Sequence, residues 1–160
     1  MRNVSVRRRW PDRLEVTVEE HRELARWGDI ALVNSYGELF HAASDSELPV
    51  FYGPGNGVRE VAEKYAQFGA LLAPTGMQVT QVALSPRRAW QLGTDRGMVI
   101  ELGREQMEGR LQKFAGVYGK TIGALGVQVA YADLRYPNGF AVRRPAKLPA
   151  SKNKGVNGAA

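Results

Sequence analysis

The sequence predicts an α+β fold, a series of short strands with two amphipathic helices set among them. Three observations carry that reading. Residues Arg13–Glu19 alternate strictly, with Leu14, Val16 and Val18 on one face and Glu15, Thr17 and Glu19 on the other, the period of a half-buried strand. Over residues 58–73 the period changes: Val58, Val61, Ala62, Tyr65, Phe68, Gly69 and Leu72 fall on one helical face, and Met107, Leu111, Phe114 and Tyr118 make a second such stripe. The remaining apolar stretches are short and separated by turn residues, as strands are.

Taken in order, Val4 and Val6 predict a short strand before Arg13–Glu19, with Trp10-Pro11-Asp12 as the connecting turn. Two strands joined by a turn cannot bury their own apolar face, so the start reads as the last part of a small domain. Residues 31–34 and 38–41 form a hairpin across Ser35-Tyr36-Gly37, where Gly37 supplies the positive φ. A short apolar segment over 48–52 contains Pro49, and the breaker cluster 53–57 precedes the first helix. Asn56 is the expected N-cap, and Pro74 and Gly76 end the helix. Strands follow over 78–84, 89–93 and 98–102, the last two joined by Asp95-Arg96-Gly97. The second helix spans 105–118, with Glu105 where a helix N-terminus favours negative charge and with Gly109 and Gly116 weakening it. A long strand over 127–135 and a last strand over 140–143 flank a tight turn. Residues 145–160, rich in Lys, Pro, Gly and Ala, have little to bury and are expected to be a disordered basic tail.

The 160 residues carry 22 basic and 16 acidic side chains, a formal net charge of +6. The charge is concentrated at the ends. Arg7-Arg8-Arg9 form a run, and beyond Asp133 no acidic residue occurs while Arg135, Arg143, Arg144, Lys147, Lys152 and Lys154 follow. Basic ends fit a nucleic-acid or anionic-surface binder, but they also simply keep a protein soluble, and no zinc-ligand spacing or aromatic-basic RNA motif accompanies them. The absence of cysteine excludes disulfides and thiolate chemistry. No apolar run approaches the roughly 18 residues of a membrane span, and no signal peptide is evident. The chain reads either as a cytosolic protein or as a piece whose targeting segment lies upstream.

Chemistry is poorly represented. His21 and His41 lack metal-ligand spacing. The glycine cluster 53–57 lacks the Gly-Lys-Ser/Thr ending of a phosphate loop, and no Gly-x-Ser-x-Gly elbow occurs. No catalytic, cofactor-binding or metal-binding residue is therefore assigned, and no enzyme is expected. The most informative stretch is 131–143, a strand, a turn and a second strand. If no later segment covers that second strand, it lies at a sheet edge, where unpaired N–H and C=O groups template pairing with another chain. In Ser85-Pro86-Arg87-Arg88-Ala89-Trp90-Gln91-Leu92 the arginines are either solvated guanidinium groups beside a core indole, or an arginine packed on it, or else an arginine that pairs with a partner's carboxylate, and the sequence leaves these open.

Several of these segments, in this order, resemble the bacterial cell-division family FtsQ/DivIB: residues 4–14, Ala25-Arg26-Trp27, Leu48-Pro49 with Tyr52-Gly53-Pro54, Arg87-Arg88-Ala89-Trp90-Gln91-Leu92, Leu102-Gly103-Arg104, and Tyr131-Ala132-Asp133-Leu134-Arg135-Tyr136. The resemblance implies the end of a truncated POTRA domain at 1–25, a mostly antiparallel β domain with two helices at 26–144, and the tail at 145–160. It implies a non-enzymatic scaffold at the periplasmic face of the inner membrane, at the division septum. The full-length protein would cross the membrane once, through a helix absent from this chain. The implied partners are FtsB and, through it, FtsL, with indirect effects on the septal peptidoglycan synthase FtsW–FtsI and FtsK-linked recruitment through the POTRA region. The implied FtsB-binding residues are Arg88, Arg135, Tyr136, Asn138, Gly139, Phe140, Ala141, Val142 and Arg143. Arg135 and Arg88 would meet acidic groups, Tyr136 and Phe140 would supply apolar area, and the backbone of 140–143 would supply a ladder. Pro137 and Arg144 depart from residues found in some relatives.

Overall fold

Strands that are apolar at every second position need cover on one side only, and the two helices supply it here. A computed structural model describes residues 3–9, 13–19, 22–122, 126, 128–137 and 139–145, the first two segments by their backbone. The predicted turn at 10–12, His21, Asn138 and the tail beyond Pro145 lie outside the described residues.

Two strands at the start, β1 (Asn3–Arg9) and β2 (Arg13–Glu19), pair antiparallel with Val4 opposite Val18 and Val6 opposite Val16. The other strands are β3 (Glu23–Trp27), β4 (Ala31–Asn34), β5 (Leu39–Phe40), β6 (Val50–Tyr52), β7 (Val79–Leu84), β8 (Trp90–Thr94), β9 (Val99–Gly103), β10 (Tyr131–Asp133) and β11 (Ala141–Arg143). They form one nine-stranded sheet in the order β11-β10-β9-β8-β7-β6-β3-β4-β5. Pairing is mostly antiparallel, with parallel contacts where β6 meets β3 and β7 and where β10 meets β9. The predicted α+β class with two helices is therefore what forms.

Helices α1 (Val58–Leu72) and α2 (Met107–Tyr118) pack on each other, α1 over β7 and α2 over β9. Phe68 of α1 meets Trp90 edge-on, with ring centroids 5.7 Å apart. Phe51, Val82, Leu92, Ile100 and Leu102 from the sheet and Leu111 and Phe114 from α2 complete a closed apolar core. Gln81, Gln91 and Glu101 sit between these buried positions along their strands and point to the opposite, more polar face.

Four expectations need correction. Asn56 does not cap α1: it lies in a one-turn 3-10 helix, Gly55–Gly57, and Gly57 occupies the N-cap without a side-chain bond. Helix α2 starts at Met107 rather than at residue 105, because Gln106 takes a left-handed conformation (φ 51°) that ends helical geometry there. The long strand expected over 127–135 is cut to three residues. At its start the Ala130 N–H bonds Arg143 ahead of the regular ladder, and at its end Asp133 turns back onto the Arg135 N–H. Strand β3 was not foreseen, since Glu23, Leu24, Ala25 and Arg26 show no clear alternation by themselves. Its core side is read only from burial of Ala25 and Trp27.

The hairpin at residues 31–41 forms as expected, though β5 shrinks to Leu39–Phe40. The buried Asn34 accepts the N–H groups of Tyr36 and Glu38 on its Oδ1, both at 2.9 Å. Gly37 holds φ at 76°, and a Cβ there would stand 2.9 Å from the Arg59 Cα. The hairpin tip thus lies directly against the backbone of α1.

Candidate functional site

Backbone alternation decides what β11 offers. The Val99 N–H donates to the Ala130 carbonyl at 3.0 Å, and the Leu134 N–H donates to the Glu101 carbonyl at 2.9 Å. Groups of a strand face its two neighbours alternately. Ala132, between these two, therefore faces β9, and Tyr131 and Asp133 face β11. Tyr131 pairs with Arg143 and Asp133 with Ala141. Ala141 and Arg143 thus turn their backbone groups inward, and Val142 turns its N–H and C=O outward. Strand β11 ends the sheet, and among the described residues no strand pairs with its outer side.

The side chains of Ala141, Val142 and Arg143 are all exposed. Val142 is 43% exposed. Phe140, on the same face two residues earlier, is half-buried, and its ring meets Phe114 edge-on at 5.1 Å. Part of the area expected of Phe140 as a partner anchor is thus spent on the core. Tyr136 is 54% exposed and stands at the same sheet end. The guanidinium of Arg143 lies over the Tyr131 ring at 4.1 Å. Gly139 is half-buried in the turn before β11.

Arg135 follows β10 directly and is held by Asp133. Its backbone N–H and its Nε both donate to Asp133 Oδ1, at 3.0 and 2.9 Å, and its Nη2 donates to Oδ2 at 2.7 Å. These hydrogen bonds hold the Asp133 carboxyl below the usual carboxylate range, with burial opposing and the charges of Arg135 and Arg143 assisting. Asp133 in turn raises the already high pKa of Arg135.

Arg88 sits in the β7–β8 turn with φ 67°, a left-handed conformation uncommon outside glycine. Its N–H donates to the Ser85 carbonyl at 2.9 Å, and its Nη2 pairs with Glu60 in the first turn of α1. Trp90 is buried and meets Phe68, while the Arg88 side chain stays half exposed and reaches Glu60 on α1, so a largely solvated guanidinium beside a core indole is what forms within the chain. Trp90 pairs with Gly103 at the end of β9, and β10 runs parallel to β9. The start of β8, the ends of β9 and β10 and the start of β11 therefore share one end of the sheet. Arg88, Arg135, Tyr136, Gly139 and Phe140 are brought to that end; Val142 and Arg143 extend along the edge from it.

Three contributors escaped the sequence reading: Asp133, Glu60 and Gly103. The Asp-x-Arg spacing at a strand end was a signal for Asp133. Nothing local announces Glu60, which meets Arg88 from 28 residues away. Among the described residues no group of three His, Asp or Glu stands together to hold a metal ion. No helix among them is long and apolar enough to cross a membrane.

Residues 25–135 match the family described as cell division protein FtsQ/DivIB, C-terminal. The chain belongs to the FtsQ/DivIB family. It is 48% identical over 143 residues to the cell division protein FtsQ of Nitrosospira multiformis, covering 89% of this chain and 61% of that protein. The FtsQ of Burkholderia pseudomallei is 43% identical over 150 residues, covering 89% and 60%. The FtsQ of Neisseria gonorrhoeae is 36% identical over 154 residues, covering 95% and 64%. The chain thus spans about three-fifths of these curated relatives. A nucleic-acid or anionic-surface binder finds no support among these cell-division proteins.

Proposed function

We propose that this FtsQ/DivIB chain is a non-enzymatic scaffold of the division machinery that binds FtsB by β-strand addition at β11. Through FtsB it engages FtsL, and it helps control septal peptidoglycan synthesis by FtsW and FtsI. It acts at the periplasmic face of the inner membrane, as part of a single-pass protein. Residues 1–25 are read as the end of a POTRA domain whose remainder carries FtsK-linked recruitment.

The observation that supports this reading best is the outward N–H and C=O of Val142 on a terminal strand. Strand addition takes its affinity from such groups and its specificity from flanking side chains. Val142, Tyr136 and the exposed part of Phe140 offer apolar contact, and Arg135 and Arg88 offer positive charge beside it.

Titration of the chain with a peptide from the periplasmic C-terminal part of the same bacterium's FtsB, followed by backbone amide NMR, tests the proposal. Shifts concentrated over 136–144 and around Arg88 are expected. A folded protein that shows no shifts at high peptide excess refutes it for this chain.

A further inference from the structure

We infer that Asp133, with Gly103 beside it, is a positioning residue that holds Arg135 as a preformed receptor for a carboxylate on the partner strand. The inference rests on the strand-addition reading above and says which residue prepares that edge.

An exposed arginine samples many rotamers, and ordering it on binding lowers affinity. Arg135, with 56% of its side chain exposed, is ordered beforehand by two side-chain hydrogen bonds, from Nε and Nη2, to one carboxylate that its own backbone N–H also meets. That carboxylate is itself fixed. Asp133 is buried, closes β10, and pairs with Ala141 of the edge strand, so the position of Arg135 is tied to the ladder the partner would join. Gly103 makes room for the stem. With φ at 75°, it leaves empty a Cβ position only 3.1 Å from the Arg135 Cγ.

The geometry also fixes what remains on offer. Asp133 takes the Nε–Nη2 side of the guanidinium, and Nη1 has no hydrogen-bond partner among the described residues. The Nη1–Nη2 edge can therefore receive a second carboxylate in the planar, two-bond arrangement that arginine favours. The Arg110 Nη1 lies 3.7 Å from the same vacant Gly103 Cβ position, so a second cation stands close by. Arg135, Arg110 and Arg143 stand near the carboxylates of Asp133 and Glu101, so guanidinium groups outnumber carboxylates there, which suits an acidic side chain.

Three variants of the full 160-residue chain, Asp133→Asn, Arg135→Gln and Arg135→Lys, and the double variant of the first two, are titrated with the FtsB peptide by calorimetry. The Arg135 Nε–H resonance is followed by NMR. Asp133→Asn is expected to weaken binding about tenfold, while the peptide still shifts the amides of 140–143. The double variant is expected to bind no more weakly than Arg135→Gln alone, because Asp133 acts through Arg135. Arg135→Lys keeps the charge but cannot make the side-on pair, and is expected to bind as weakly as Arg135→Gln; it also serves if Asp133→Asn fails to fold. Binding of Arg135→Lys at the wild-type level overturns the inference, and so does a double variant in which the two losses multiply. If wild-type chain does not bind the peptide, the assigned partner falls, and Arg135 alone is read. An Nε–H protected in wild type and lost in Asp133→Asn sustains the positioning role, whereas equal exchange in both removes it.

Discussion

Two adjacent prolines separate the proposed binding role of β11 from its folding role. Val142 presents its N–H to the open side, whereas the N–H of Ala141 faces β10, where the register sets it against Asp133. Proline is tolerated on an edge strand when the lost N–H faces outward. Val142→Pro should therefore change stability by no more than about 0.5 kcal/mol. It removes one ladder bond, worth about 0.5–1.5 kcal/mol net, and its ring obstructs an incoming strand. Together these give a loss of about 1–3 kcal/mol in binding, roughly five- to 150-fold in Kd. Ala141→Pro instead leaves a carbonyl of Asp133 without its donor and should cost about 1–3 kcal/mol of folding stability. Calorimetric titration with the FtsB peptide and urea unfolding of each variant measure both quantities. Equal effects of the two prolines on binding and stability, or wild-type affinity in Val142→Pro, would refute the assignment of which residue faces outward.

Three further outcomes are expected. Phe114→Ala empties a fully buried site that touches Phe140 and Tyr118, and should cost about 3–5 kcal/mol in urea unfolding; amide exchange at 140–143 should rise with it. Gly37→Ala should cost about 1–3 kcal/mol, since its Cβ would press on the Arg59 Cα at a positive φ, and a lowered melting temperature would show it. Because the folded-state pKa of Asp133 is depressed, its ion pair stabilises the fold above the ordinary aspartate value and is lost as pH falls through the depressed one. Asp133→Asn should accordingly flatten the acid limb of a stability curve taken between about pH 5 and pH 2, leaving the part due to Glu108, which Lys64 lowers in the same sense.

Period and punctuation made the helices and most of the strands legible. The stripe Leu111, Phe114 and Tyr118 is buried as its spacing required, and Gly37 adopts the turn conformation its position called for. The ends of elements were harder, because they depend on single backbone bonds. Nothing in the residues around Gln106 announces its left-handed φ, and the shortening of β10 follows from a hydrogen bond made by Ala130 to the far strand. At the candidate site, the resemblance pointed to Arg88 and Arg135 but not to what holds them. Arg135 is restrained by a residue two positions away and Arg88 by one on a helix far earlier in the chain. The first restraint follows a local spacing; the second exists only once α1 has packed on the sheet. Phe140 shows the same limit, since its partner Phe114 is 26 positions distant and its inward packing depends on where α2 lies.

Among the described residues strand β11 is also the last element of the sheet in chain order, and β10, on which it rests, follows β9 only after α2. During synthesis the amino-terminal parts of a chain are available to fold first. The proposed docking edge is therefore the last of these strands to become available, and a nascent chain stopped short of Ala141 would display a different border, one carrying the backbone groups of Tyr131 and Asp133. A partner strand read against that border would meet outward groups at odd-numbered residues instead of at Val142. Completion of the sheet and presentation of the proposed docking edge thus coincide, and a prematurely ended chain would not offer the edge formed by β11.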